Sequence, residues 1–201
     1  MTTMTALDYT PTIAPRRKAR KYTSEERQCW RTPNTPDQPV LHLVARALGG
    51  EIGIDVTADA DRSVPAQHHI TKAMDCTSLL SWPMTTRNFT AFMNPPFENP
   101  HVYLDMLRRS MDPEFGVVTQ SIALLKTGTL HNQKSGAIIK ANASAVCHWG
   151  AGKVGRMGFI DCDGYQVTGA DFDTVLVYFG KDPFLFCQVF EHYGLVSKVV
   201  L

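Results

Sequence analysis

No stretch of the chain approaches the about 18 uninterrupted apolar residues that cross a bilayer, and the first residues carry no apolar secretion core. Membrane spanning and export are therefore not expected, and the expected location is the cytoplasm. Cysteine is sparse: Cys29, Cys76, Cys147, Cys162 and Cys187 make an odd count with no C-x-x-C pair and no Cys/His cluster of zinc-finger spacing. They read as reduced, mostly structural thiols. His68-His69 has no third ligand at a recognisable spacing, so no metal is expected. Gly-x-Ser-x-Gly and the Walker lysine loop are both missing, which removes the common nucleophilic hydrolases and nucleotide-phosphate machines.

What is present suits one soluble α/β unit. The 201 residues are 44% hydrophobic and 19% charged, enough to bury a core without disulfide or metal support. The net charge of +1 hides an asymmetry, because residues 1–28 hold six Lys/Arg against three Asp/Glu. Arg16-Arg17-Lys18-Ala19-Arg20-Lys21 follows a Thr/Pro-rich stretch poor in large apolar residues. That composition predicts a basic arm, mobile when free, with the remainder, 29–201, as a single domain. Such an arm suits phosphate contact through counterion release, or simply solubility.

Helical spacing of Val40, Leu43, Val44, Ala47 and Leu48 ends at Gly49-Gly50 and predicts a helix over 37–48. Alternating Ile52, Ile54 and Val56 predict a strand, with Asp55 near its carboxyl end. A second strand, Phe89 to Met93, breaks at Asn94-Pro95-Pro96, because successive prolines supply no donors to a ladder. Asn99-Pro100 then opens a helix that stops before Asp112-Pro113. Strands are predicted over 115–125, 143–149 and 172–179, a polar loop over 128–136, and a last helix from Asp182-Pro183 to Gly194. The alternation predicts a mostly parallel sheet with helices on both faces and a ligand site outside the carboxyl ends of the strands.

The informative segment is Phe92-Met93-Asn94-Pro95-Pro96-Phe97-Glu98-Asn99. Read plainly, it is a rigid turn before a helix. Read chemically, the Asn94 side-chain oxygen and the Pro95 carbonyl can each accept one hydrogen of a planar amine while Phe97 stacks on its ring. Drawing both hydrogens onto fixed acceptors frees the nitrogen lone pair for an electrophile held in line.

In these residues the chain resembles the small phage and prophage Dam-like DNA adenine-N6 methyltransferases, which have a Rossmann-like fold and use S-adenosylmethionine. The likeness spans about residues 29 to 195 and runs in order: Trp30-Arg31-Thr32-Pro33, Gly53-Ile54-Asp55-Val56-Thr57-Ala58, Asp75 with Leu79-Leu80-Ser81-Trp82, Asn94-Pro95-Pro96-Phe97, Gly155-Arg156-Met157-Gly158-Phe159-Ile160, and Thr174 to Gly180. The resemblance implies that Asn94, Pro95, Pro96 and Phe97 bind a flipped adenine in DNA. It also implies that Trp30, Thr32, Pro33, Asp55 and Asp75 surround S-adenosylmethionine. The chain departs from larger methyltransferases in having Thr57-Ala58-Asp59-Ala60 where they carry a Gly-x-Gly turn, and Phe97 stands where Tyr is more frequent. Asn-Pro-Pro-aromatic loops also grip other planar amines, so RNA, a protein glutamine amide, and a silent DNA-binding member of the fold stay open as alternatives.

Overall fold

The computed structural model describes residues 7–18, 20–78, 82–83, 88–114, 116–151, 154–168 and 172–199. Leu79-Leu80-Ser81, Phe115 and Lys153 lie outside the described residues. The described strands are β1 (Arg16–Lys18), β2 (Ile54–Ala58), β3 (His68–Thr71), β4 (Phe89–Met93), β5 (Val118–Lys126), β6 (Ala145–Trp149), β7 (Gln166–Thr168), β8 (Thr174–Phe179) and β9 (Gly194–Lys198). The helices are α1 (Ser24–Arg27), α2 (Val40–Ala47), α3 (Pro100–Ser110), α4 (Gln133–Asn142) and α5 (Phe184–Phe190).

Seven strands form one sheet in the order β3-β2-β4-β5-β8-β6-β9. Neighbours from β3 to β5 are parallel, while β8 runs against both β5 and β6, and β9 against β6. The sheet is therefore mixed, with β8 and β9 reversed inside an otherwise parallel set. Apolar residues on its two faces build two cores. One joins Phe92, Ile122, Leu124 and Leu176 to α2, α5 and the aromatic residues Tyr22, Trp30 and Phe159. The other joins Ala91, Met93, Ala123 and Val175 to Leu104 and Leu107 of α3 and Ile139 of α4. Helices thus cover both faces of the α/β sheet.

The β4–loop–α3 unit forms where the sequence places it, with β4 over Phe89–Met93 and Pro100 as the first helical residue. Asn99 is left-handed at φ 52° and makes no side-chain cap, so the helix start relies on the proline rather than on an Asn cap. The segment expected as a polar loop over 128–136 is instead a 3-10 turn, Thr127–His131, followed by α4. Asn132 caps α4 by accepting from the backbone N–H groups of Lys134 (3.0 Å) and Ser135 (3.2 Å). Gly136 fits there because a Cβ would stand 2.5 Å from the Leu130 carbonyl oxygen. Its presence marks a close approach and not a loop.

The described part of the basic arm is not free. β1 pairs in parallel with β7, the Tyr9 hydroxyl accepts from the Ile52 N–H at 2.7 Å, and Tyr22 is buried edge-on to Trp30. Its arginines are matched by acids: Arg16 with Asp37, Arg17 with Asp161 and Asp163, and Arg20 with Glu26. Composition suggested mobility because it counts few apolar residues, and two tyrosines with three matched arginines suffice to strap the segment down. A Cys29–Cys162 disulfide, with Cα atoms 5.6 Å apart, ties the end of this strap to the turn before β7. It corrects the expectation of five reduced thiols; Cys76, Cys147 and Cys187 are free. The pair escaped the spacing rules because 133 residues separate its members. No described helix is long and apolar enough to cross a membrane. Among the described residues no group of three His, Cys, Asp or Glu could hold a metal ion.

Candidate functional site

Strand register brings the chemistry to one edge and one face. Asp55 of β2 is paired with Phe92 of β4, Phe92 with Ile122 of β5, and Leu124 with Leu176 of β8. These apolar residues all face the core that contains Trp30. Alternation carries that face outward to Thr57, Asn94, Lys126 and Thr174, the last two being register partners. The carboxyl ends of β2, β4 and β5 and the amino end of the reversed β8 therefore present an amide, two hydroxyls and an ammonium side by side.

Asn94 is fixed at two points. Its backbone N–H donates to Thr57 Oγ1 at 2.9 Å, and its side-chain Nδ2 donates to Thr32 Oγ1 at 3.1 Å. With Nδ2 engaged, the Asn94 side-chain oxygen is the end of the amide left to accept. Thr32, expected beside a cofactor, is thus the residue that orients Asn94. Pro95 is buried and Pro96 exposed, so the first proline anchors the loop and the second stiffens it at the surface.

Phe97 is half-buried in an aromatic cluster. Its ring meets Phe172 edge-on with centroids 4.9 Å apart, and Phe159 with centroids 6.2 Å apart. Trp30 stacks on Phe159 and Phe172 at 5.7 and 6.2 Å, forming the wall behind the loop. Its Nε1 is buried without a hydrogen-bond partner. Pro33 is likewise buried. The Lys126 ammonium lies over both Phe97 and Phe172, and Arg156 holds Asp173 at 2.9 Å next to Phe172.

Asp55 is 2% exposed, and the hydrogen bond it accepts from the Thr57 N–H is long, at 3.3 Å. Burial pushes its carboxyl up to about 7, opposed by the Thr57 bond and reinforced by the Asp59 charge. Asp75 differs: it is exposed, left-handed at φ 56°, and held below the usual carboxylate range by the Thr77 hydroxyl and N–H. The two carboxylates approach one region, because both add to the burial that raises the Cys76 thiol to about 11. Asp75 also raises Tyr103, after burial and Cys76. A surface cavity of about 410 Å³ begins at Thr77 and continues past His101 and Lys134 between α3 and α4. The neighbouring histidines are used locally: His68 is edge-on to Phe89, and His69 Nε2 lies 2.8 Å from the Val64 carbonyl oxygen.

The structure therefore gathers Asn94, Pro95, Phe97, Thr32 and Asp55 at one edge, with Trp30 behind the loop, Pro33 buried next to Thr32 in the chain, and Asp75 on the side of α3. Sequence reading missed Lys126, Thr57, Thr174 and the roles of Phe159 and Phe172. Lys126 had a usable signal, being the first polar residue after the apolar run Ile122 to Leu125, where a central strand reaches its carboxyl end. The aromatic pair had none, since Phe159 and Phe172 stand 13 positions apart in sequence, with β7 between them. Comparison of the chain with models of protein families, with curated proteins and with solved structures finds no match.

Proposed function

We propose that this chain is a Rossmann-like methyltransferase that transfers a methyl group from S-adenosylmethionine to the exocyclic N6 amine of adenine in DNA. The observation that carries the reading is the double fixation of Asn94, which leaves its amide oxygen to accept at the carboxyl edge of the sheet. An adenine paired and stacked inside duplex DNA cannot give both amine hydrogens to fixed acceptors and a face to Phe97, so the base must leave the stack. Asn94 then accepts one amine hydrogen and the Pro95 carbonyl the other, while Phe97 offers a ring to the base. Both acceptors hold the lone pair out of the base plane, where an electrophile can meet it.

The donor set fits an adenosyl-type cofactor. Asp55 is a buried carboxylate that accepts a long hydrogen bond from the Thr57 N–H, so it has acceptor capacity for paired hydroxyls such as those of a ribose. Asp75 supplies a further acceptor in the region it shares with Asp55 around Cys76. S-adenosylmethionine, when bound, supplies an electrophilic methyl group. The amine proton made acidic by transfer leaves through the acceptors that already hold it, toward solvent beside the exposed Pro96. No covalent enzyme intermediate is needed.

The choice of a nucleic-acid base over a protein amide rests on the aromatic cluster, because a glutamine amide has no ring to stack on Phe97. The strapped arm is not part of this argument, since the arginines named above are matched by acidic residues of the chain. The test is incubation with labelled S-adenosylmethionine and, separately, unmethylated DNA, RNA and glutamine-bearing peptide, with nucleoside analysis of the product. N6-methyladenine in DNA is expected. Label on RNA or peptide alone moves the substrate, and no label on any of them refutes the activity.

A further inference from the structure

The sheet ends, four strands away from β4, in an open edge. β9 is the last strand in the order, and among the described strands its neighbour is β6. The ladder between them is flanked by Gly150 N–H donating to the Tyr193 carbonyl at 2.8 Å and Val199 N–H donating to the Ser144 carbonyl at 2.9 Å. Antiparallel bonding alternates along a strand, so Leu195 and Ser197 also bond toward β6. Gly194, Val196 and Lys198 therefore turn their backbone N–H and C=O groups outward. These residues line a surface cavity of about 430 Å³ that Cys187 and Glu191 of the α5 segment close on the other side. An edge strand beside a helix is the form of cleft that takes up an added strand.

Apolar side chains border the same edge. Leu195 is 63% exposed on the strand itself, and Phe184 is 64% exposed, one turn before Cys187 on the same side of α5. An unpaired edge with apolar neighbours is a template for another strand, and β9 itself has the matching pattern. Antiparallel pairing of two β9 strands about Val196 sets Val196 opposite Val196, Lys198 opposite Gly194 and Leu195 opposite Ser197. All the outward backbone groups of both strands are then paired. Each Lys198 lies against a residue without a side chain, next to the cleft wall that carries Glu191. The Glu191 carboxylate meets His192 in its own chain at 3.5 Å through one oxygen and has a second oxygen to offer. On the opposite face the two Leu195 side chains become diagonal neighbours, about 7–8 Å apart and within reach of each other. Centring the pair on Lys198 would oppose two ammonium groups, and centring it on Gly194 would leave Lys198 unpaired.

We infer that β9 is a self-association edge, through which two copies of this chain join antiparallel at Val196 and make one continuous sheet. The two copies then present their β4 carboxyl edges in opposite directions, so neither candidate site is covered and each faces away from the other.

Sedimentation equilibrium of the full chain from about 1 to 300 µM, the range expected of a small interface, tests this directly. Val196→Pro and Lys198→Glu are run beside the wild type, with melting temperatures as the check on folding. Proline at position 196 removes an outward N–H and no bond to β6, which an edge strand tolerates. The wild type should approach twice the chain mass reversibly, and Val196→Pro should stay monomeric throughout. Lys198→Glu should need about tenfold more protein to dimerise, because the charge reversal acts twice at a two-fold junction. Amide exchange at Val196 and Lys198 should slow as the wild-type concentration rises. If Val196→Pro melts early, Lys198→Glu and the exchange pattern decide. A wild type that stays monomeric overturns the inference, as does a dimer that survives Val196→Pro in folded form or ignores Lys198→Glu. Growth beyond the dimer also overturns it, because a closed two-fold pair has no edge left to extend.

Discussion

Replacing Asp55 by Asn removes a charge while keeping the size of the side chain and an oxygen to accept from the Thr57 N–H. The wild-type carboxyl is raised from 3.8 to about 7 by burial. Between those values an unfolded chain has released the proton and the folded chain still holds it, so stability falls as pH rises through the window. The cost is absent below the unfolded value and complete above the folded one. A shift of this size corresponds to on the order of 4 kcal/mol when fully developed, of which about 2–3 kcal/mol accrues between pH 5 and 8. Asp55→Asn pays none of it. Urea unfolding of both proteins at pH 5 and pH 8 should therefore show the variant gaining on the wild type by about 2–3 kcal/mol between the two conditions. Groups elsewhere in the chain titrate alike in both proteins and cancel. An advantage that is equal at both pH values, or smaller at pH 8, would refute the argument that Asp55 is buried as a costly carboxylate.

Further outcomes follow from the same geometry. Hydroxyl donors of a bound ribose favour the ionised Asp55, so affinity for S-adenosylmethionine, followed by calorimetry, should rise about tenfold from pH 6 to 8 in the wild type. It should stay flat in Asp55→Asn, and a flat wild-type profile would separate Asp55 from the cofactor. Thr32→Val removes the acceptor that orients the Asn94 amide; kcat should fall about tenfold while cofactor affinity stays within about twofold, as expected for a lost hydrogen bond of roughly 1.4 kcal/mol. Loss of cofactor affinity instead would return Thr32 to the cofactor. Tyr22→Ala should cost about 3 kcal/mol of stability, the range for emptying a buried aromatic site, whereas Lys21→Ala on the exposed side of the same strap should be neutral. Equal, small effects would mean that the arm is not anchored.

The sequence made the centre of this fold legible because its signals there are local. Alternation in Phe89 to Met93, two prolines that cannot enter a ladder, and Pro100 as a first helical residue are all properties of neighbouring residues. The same holds for α2, which is shorter than its apolar pattern because Pro39 precedes its first residue. What escaped depends on distant pairing. β1, β7 and β9 are short or exposed strands that exist through their partners, Arg16–Lys18 with Gln166–Thr168 and Gly194–Lys198 with β6. α4 was hidden because Asn132 and Gly136 read as loop residues, although one is a cap and the other a close contact. At the site, the loop residues Asn94 to Phe97 could be read in advance, and the orienting role of Thr32 could not. That role arises from a hydrogen bond across 62 positions of sequence. Lys126 joins Phe97 by strand order alone, because β4 and β5 are neighbours whose carboxyl ends meet.

The most direct test of the account is transfer of labelled methyl from S-adenosylmethionine to unmethylated DNA by the wild type and by Asn94→Ala, with nucleoside analysis of the product and cofactor affinity measured alongside. The account predicts N6-methyladenine from the wild type alone, with cofactor affinity in the variant within a few fold of the wild type. Methylation undiminished in Asn94→Ala, or no methyl group on adenine from the wild type, would contradict it.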